Sequence, residues 1–159
     1  MNIRHFVIIP GQPVAKGRPR FSRYGHAYTP GKTARWADRA SVIMRDVCGT
    51  TMMDGPLKLE VIAVFQRPKN RYRKCDPDGR FWHTVKPDKD NVEKSVSDAL
   101  QKAGVVRDDS CICTGPTSKF YTAKGEGPCV IVYLEQITDA EHHPTDRISR
   151  RATALERLA

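Results

Sequence analysis

The feature that most limits the fold is the nine-residue run Leu57 to Phe65. Leu57, Leu59, Val61, Ala63 and Phe65 alternate with Lys58, Glu60, Ile62, Val64 and Gln66. Side chains on a strand point to opposite faces in turn, so a period of two predicts a strand with one clearly apolar face. Such a strand needs a layer to pack against. Two stretches of helical period supply one. Trp36, Ala40, Ile43 and Val47 recur at helical spacing, so Lys32 to Cys48 is expected to be an amphipathic helix, opened by Thr29-Pro30 and ended by Gly49. A second helix is expected from Asn91 to about Ala103, closed by Gly104. Further strands are expected at Ile3 to Ile9, Cys111 to Thr114 and Cys129 to Leu134. The order strand, helix, strand, helix, strand, strand predicts an α+β fold, with a small mixed β-sheet packed against two helices.

A chain of 159 residues suits one domain. The domain is expected over residues 1–138. Residues 139–159 form a polar tail in which Asp146 to Leu158 is either a short helix, with Ile148, Ala152 and Leu155 on one side, or a frayed end. No apolar run approaches the roughly 20 residues of a membrane span, and Phe6 to Pro10 is too short for a signal segment, so a cytoplasmic protein with no membrane partner is expected. The five cysteines include no CxxC. Cys111 and Cys113 have no matching second pair, which argues against structural zinc.

The net charge of +9 points to a polyanionic partner, nucleic acid above all. The basic residues concentrate in two loops. One, from Gln12 to Tyr28, holds Lys16, Arg18, Arg20 and Arg23. The other, from Arg67 to Lys86, carries seven basic residues, among them Arg67, Lys69, Arg71, Arg73 and Lys74, against two aspartates. Phe21, Tyr24, Tyr28, Tyr72, Phe81 and Trp82 are interleaved with them, a pattern that would also suit a single-strand binder without catalysis.

The acids stand apart from this background. Asp88 and Asp90 straddle Lys89, so an extended approach to the helix turns both carboxylates one way. At about 100° per residue, Asp90, Lys94 and Asp98 form a ridge on one side of that helix. Val92, Val96, Ala99, Leu100 and Ala103 fall on the other. Asp108 and Asp109 follow where the chain turns back. Clustered carboxylates repel one another unless a cation joins them, and all-oxygen sites favour Mg²⁺ or Mn²⁺ over zinc. Each acid also has a plainer reading. Asp90 can be an N-cap with Glu93 completing a capping box, Lys94 and Asp98 a surface pair, and Asp108-Asp109 a turn.

The run KPDKDNVEKSVSDALQKAGVVRDD, from Lys86 to Asp109, resembles the signature of the RusA family of Holliday junction resolvases. It has Asp88, Asp90 and Asn91 in an Asp-x-Asp-Asn element, Lys94 four residues on, Asp98-Ala99-Leu100 in the helix, and Asp108-Asp109 after Gly104. The opening GQPVAKGRPR, from Gly11 to Arg20, with Tyr28-Thr29-Pro30, looks like phage-type members. The resemblance covers roughly residues 3 to 136. It implies a homodimeric, Mg²⁺-dependent endonuclease that cuts four-way DNA junctions symmetrically. By position it makes Asp88, Asp90 and Asp109 the metal-binding acids, Lys94 the catalytic lysine, and Asp108 and Asp98 supporting candidates. The basic loop from Arg67 to Lys86 is longer than in compact members. A nuclease preferring flaps or forks, and a non-catalytic branched-DNA binder, remain alternatives.

Overall fold

The alternation at Leu57 to Phe65 becomes the centre of the sheet. In the computed structural model, which describes residues 3–17, 20–21, 23–28 and 30–138, strand β4 spans Leu57–Phe65, and its five odd-numbered residues are buried. Strand β1 is Arg4–Pro10 and strand β8 is Cys129–Gln136. β8 lies between them, antiparallel to both. On the other side of β4 runs β7 (Thr117–Tyr121), parallel to it, and β5 (Phe81–Trp82) forms the edge, antiparallel to β7. The short β6 (Ile112–Thr114) pairs with the start of β4. The sheet order is therefore β1-β8-β4-β7-β5. A small hairpin of β2 (Arg20–Phe21) and β3 (Ala27–Tyr28) stands apart from it.

Two helices cover one face. α1 is Gly31–Cys48 and α2 is Lys89–Ala103. They pack on each other, and the Arg45 Nε–H of α1 donates to the Ala103 carbonyl at the end of α2 (3.1 Å). The last carbonyls of a helix have no partner within it, so this bond both caps α2 and fixes its position. Lys102 also pairs with Asp38. The core joins Val7 and Ile9 of β1, the odd residues of β4, Val130, Val132 and Leu134 of β8, and the inner stripes of both helices.

The α+β class and the two packed helices are as expected. The order is richer than expected, because β2, β3, β5 and β7 are all short or lack strict alternation. β7 reads TSKFY, with no clean apolar face. α2 begins at Lys89, two residues before the expected Asn91. In α1 the buried stripe is Trp36, Ala40, Met44 and Cys48, whereas Val47 is exposed: the helix is rotated toward the spacing of Met44. The N-cap of α1 is Pro30. Thr29, Arg18 and residues 139–159 lie outside the described residues.

Two glycines are required by geometry. Gly104 takes φ +73°, the left-handed conformation that ends α2, and its N–H bonds back to Gln101 and Leu100 carbonyls. Gly115, at φ +139° between β6 and β7, passes so close to β4 that a Cβ there would lie 1.7 Å from the Leu59 carbonyl oxygen.

Candidate active site

Asp88, not Asp90, is the N-cap residue of α2. Its backbone is extended (φ −69°, ψ 152°), yet its side chain makes no capping bond. Asp90 sits in the first turn. The capping box is not formed either, because Glu93 instead accepts a hydrogen bond from the Thr117 hydroxyl of β7 (2.6 Å). Both aspartates are exposed, and neither carboxylate is committed to an ion pair or hydrogen bond among the described residues. They line one cleft of about 860 Å³ together with Lys16, Gly17, Lys86, Pro87 and Asn91. The positive end of the α2 dipole and the two lysines make this a favourable place for adjacent negative charges.

Three contacts hold the cleft in shape. The Lys16 backbone N–H donates to the Asn91 carbonyl (2.9 Å), the Ser95 hydroxyl donates to the Val14 carbonyl (2.7 Å), and the Lys16 ammonium pairs with Asp98 (2.5 Å). The loop before α1 is thereby fastened along the side of α2. Further support comes from β7. The Lys119 ammonium donates to the carbonyls of Val85 (2.8 Å) and Pro87 (2.6 Å), which fixes the peptide leading into Asp88. Sequence reasoning missed Lys119. Its only signal was a lone lysine in a stretch not recognised as a strand.

The helix faces fall as expected. Val92, Val96, Ala99, Leu100 and Ala103 are buried, and Lys94 is exposed on the same broad side as Asp90. Asp98 is half-buried because Lys16 covers it.

Asp108 and Asp109 are placed differently. Asp108 caps the 3₁₀ turn Asp109–Cys111, accepting from the Ser110 N–H (2.9 Å), and it also accepts from the Gln101 side-chain amide (3.4 Å). The bonds from Ser110 hold its carboxyl below the usual carboxylate range. Gln101 lies about 16 Å along the helix axis from Asp90, at 1.5 Å per residue. The structure therefore brings Asp88 and Asp90 together but does not place Asp109 on the wall of their cleft. Among the described residues no group of three or more His, Cys, Asp or Glu gathers into a metal-binding cluster.

The basic loop divides in two. Lys69, Arg71, Arg73 and Lys74 are exposed. Arg67, expected among the DNA-contacting cations, is 2% exposed. Its guanidinium donates to the carbonyls of Thr122 (2.8 Å), Arg71 (3.2 Å), Pro77 (2.7 Å) and Gly79 (2.6 Å), and lies 4.9 Å from the centre of the Phe81 ring. It is the hub on which the loop is folded and offers no free charge to a phosphate. Of the N-terminal candidates, Lys16 lines the cleft, Arg18 is outside the described residues, and Arg20 is described only as backbone in β2. Trp82 stands 65% exposed at the sheet edge, stacked on Phe120 with ring centres 4.4 Å apart. A second, apolar hollow of about 260 Å³ lies on the opposite face of the sheet, among Phe6, Glu60, Ile62, Ile131 and Tyr133. It has no groups for phosphate chemistry.

Two uncommitted carboxylates at a helix N-terminus, flanked by lysines on a strongly basic α+β domain, have the composition of a nuclease site. Comparison with known proteins names the family. The profile described as Endodeoxyribonuclease RusA matches residues 10–133. A Bacillus subtilis (strain 168) protein described as "Uncharacterized protein YqaN" is 32% identical over 136 residues, covering 80% of this chain and 93% of that protein. The chain belongs to the RusA endodeoxyribonuclease family. No helix among the described residues is long and apolar enough to cross a membrane.

Proposed function

We propose that the chain is a Mg²⁺-dependent endonuclease that resolves four-way DNA junctions by paired, symmetric phosphodiester cuts, acting as a homodimer. The observation that carries this reading is the pair of free carboxylates, Asp88 and Asp90, in one lysine-flanked cleft. The donor set fits the cation. Mg²⁺ is held by one or two carboxylates completed by substrate phosphate and water, and this cleft offers oxygen ligands without histidine or cysteine. Mn²⁺ would serve in its place. When bound, the ion supplies charge neutralisation and a more acidic attacking water.

The chain's own residues do the rest. Asp88 and Asp90 hold the cation; the family motif makes Asp109 a third metal-binding acid with Asp108 beside it, although neither lines the cleft of Asp88 and Asp90. Lys94, exposed near Asp90, offsets charge that grows on the phosphoryl oxygens. Lys16 and Lys86 draw the phosphate into the cleft. Lys119 keeps the Val85–Pro87 segment rigid, so the Asp88 carboxylate is set before substrate arrives. Lys69, Arg71, Arg73 and Lys74 attract the surrounding duplex. Two copies supply two sites for two strands. The exposed Trp82, a platform on which an unpaired base can stack, favours a second reading in which flaps or forks are cut. Competition among branched substrates decides between them.

The test is Asp90→Asn. It removes one anionic ligand while leaving the capping residue Asp88 untouched, so the fold is retained. Cleavage of a synthetic four-way junction in Mg²⁺ should fall by orders of magnitude, while junction binding in metal-free buffer stays equal or tightens. Lys94→Ala should lower the rate without weakening Mg²⁺ binding. Cleavage by Asp90→Asn at the parental rate would remove the acidic site from the mechanism. Light scattering of a monomer, both free and junction-bound, would remove the dimer.

A further inference from the structure

The face of the sheet away from the helices is apolar where strand alternation should make it polar. Register places Ile8, Ile131 and Ile62 side by side across β1, β8 and β4, with Phe6, Tyr133 and Glu60 in the adjoining row. Phe6 is 58% exposed and Ile8 51%. Five of these six residues line the 260 Å³ hollow. The solvent face of an antiparallel sheet normally carries polar residues, and a contiguous apolar patch marks a surface that is covered in use. Glu60 is the one carboxylate in the hollow, and it forms no ion pair among the described residues.

We propose that the cover is the chain's own C-terminal segment, with Ile148, Ala152 and Leu155 of residues 146–158 seated on this face. The chain runs on from residue 139 to 159, starting just past β8, the strand that carries Ile131 and Tyr133. The seven residues 139–145 reach about 23 Å when extended. That equals the distance back along β8 from Thr138 to Ile131, at about 3.3 Å per residue. The link is long enough to return the chain over the hollow. Beyond it, Ile148, Ala152 and Leu155 fall within about 60° of arc at helical spacing, and Arg151 sits at the edge of that stripe. The stripe and the hollow are both apolar. Arg151 borders the stripe on one side, where it can meet Glu60, and Glu156 borders it on the other. The RusA match ends at residue 133, so the cover is an addition to the family domain.

Hydroxyl-radical footprinting of the full-length chain tests this without reference to nuclease activity. Phe6 and Tyr133 should oxidise slowly in the parent at every protein concentration, and at the rate of exposed aromatics in an Ile148→Asp, Leu155→Asp double variant. Arg151→Glu or Glu60→Arg alone should raise Phe6 oxidation, and the two together should restore protection. This charge swap keeps the apolar contacts, so it tests the docking even if the double variant folds poorly. Fast oxidation of Phe6 in the parent, or protection that persists in every variant, overturns the proposal. So does protection lost on dilution, which would assign the face to a second copy.

Discussion

Arg67 separates a structural cation from a DNA-binding one, and the difference is measurable. Its guanidinium bonds four carbonyls and no carboxylate. Hydrogen bonds to a charged donor contribute about 1.5–3 kcal/mol each. The four do not add, because the loop carbonyls regain water once the loop opens. Against that, Arg67→Met strips a buried hub and leaves the Thr122 carbonyl, on a residue with no exposed surface, without a partner. The expected loss is about 1–3 kcal/mol, the cost of leaving a buried acceptor unsatisfied, since the substitution removes the charge and strands none. A domain this size has about 5–15 kcal/mol in all, so the variant folds but with a lower urea midpoint. Junction binding by the folded variant should keep the parental dependence on salt, because no phosphate contact has gone. Each lost contact would flatten the log–log slope by about 0.9. Stability within about 1 kcal/mol of the parent, together with a slope reduced by about that amount, would refute the reasoning and return Arg67 to the DNA.

The exposed members of the same loop should behave in the opposite way: replacing Arg71, Arg73 and Lys74 with alanine should flatten the salt slope by up to about 2.7, with little change in urea midpoint. Gly115→Ala should cost about 3 kcal/mol or more by thermal or urea unfolding, since the new methyl would collide with the Leu59 backbone. His83 gives a pH signature. It stacks on Phe65 and meets the Tyr121 ring at a tilt, its Nδ1 is buried without a hydrogen-bond partner among the described residues, and burial, with the Lys119 charge, pulls its pKa below 6.5. The unfolded chain therefore takes up the proton more readily than the folded one. The His83 contribution is complete above about pH 6.5 and is lost as the pH falls through the lower folded value. His83→Phe should flatten the stability curve between neutral pH and about pH 5 in urea titrations, with His5, also lowered by burial, leaving a residual slope.

The parts legible in the sequence were those in which one physical pattern repeats along the chain. β4 and the buried stripe of α2 follow periods of two and 3.6 over many residues, so each apolar position supports the others. The acidic stretch was legible because its residues are adjacent, and adjacency survives folding. What stayed hidden depended on contacts between distant segments. Lys119 meets Val85 and Pro87 only because β5 pairs with β7 and the chain runs on beside it, the His83 N–H donating to the Lys119 carbonyl. Arg67 reads as one more charge in a basic run, and only the fold of residues 71–79 around it turns it into a buried hub. The place of the Asp108-Asp109 pair also depends on such contacts: the turn at Gly104 leaves Asp108 beside Gln101.

The fold also explains how two neighbouring carboxylates can remain free. An N-cap aspartate normally commits its side chain to the first helical N–H groups. Here α2 is anchored by other means: Ser95 and Asn91 bind the N-terminal loop, Glu93 binds Thr117, and Arg45 caps the far end. The apolar stripe from Val92 to Ala103 is fully inside the core. The helix therefore does not depend on a capping bond from Asp88, and its N–H dipoles still favour negative charge nearby. Lys16 and Lys86 reduce the mutual repulsion without closing onto either acid, since Lys16 is paired with Asp98 one face away. Fold stability and the acidic cleft thus rest on different groups, and the carboxylates of Asp88 and Asp90 stay available to a cation and a phosphate.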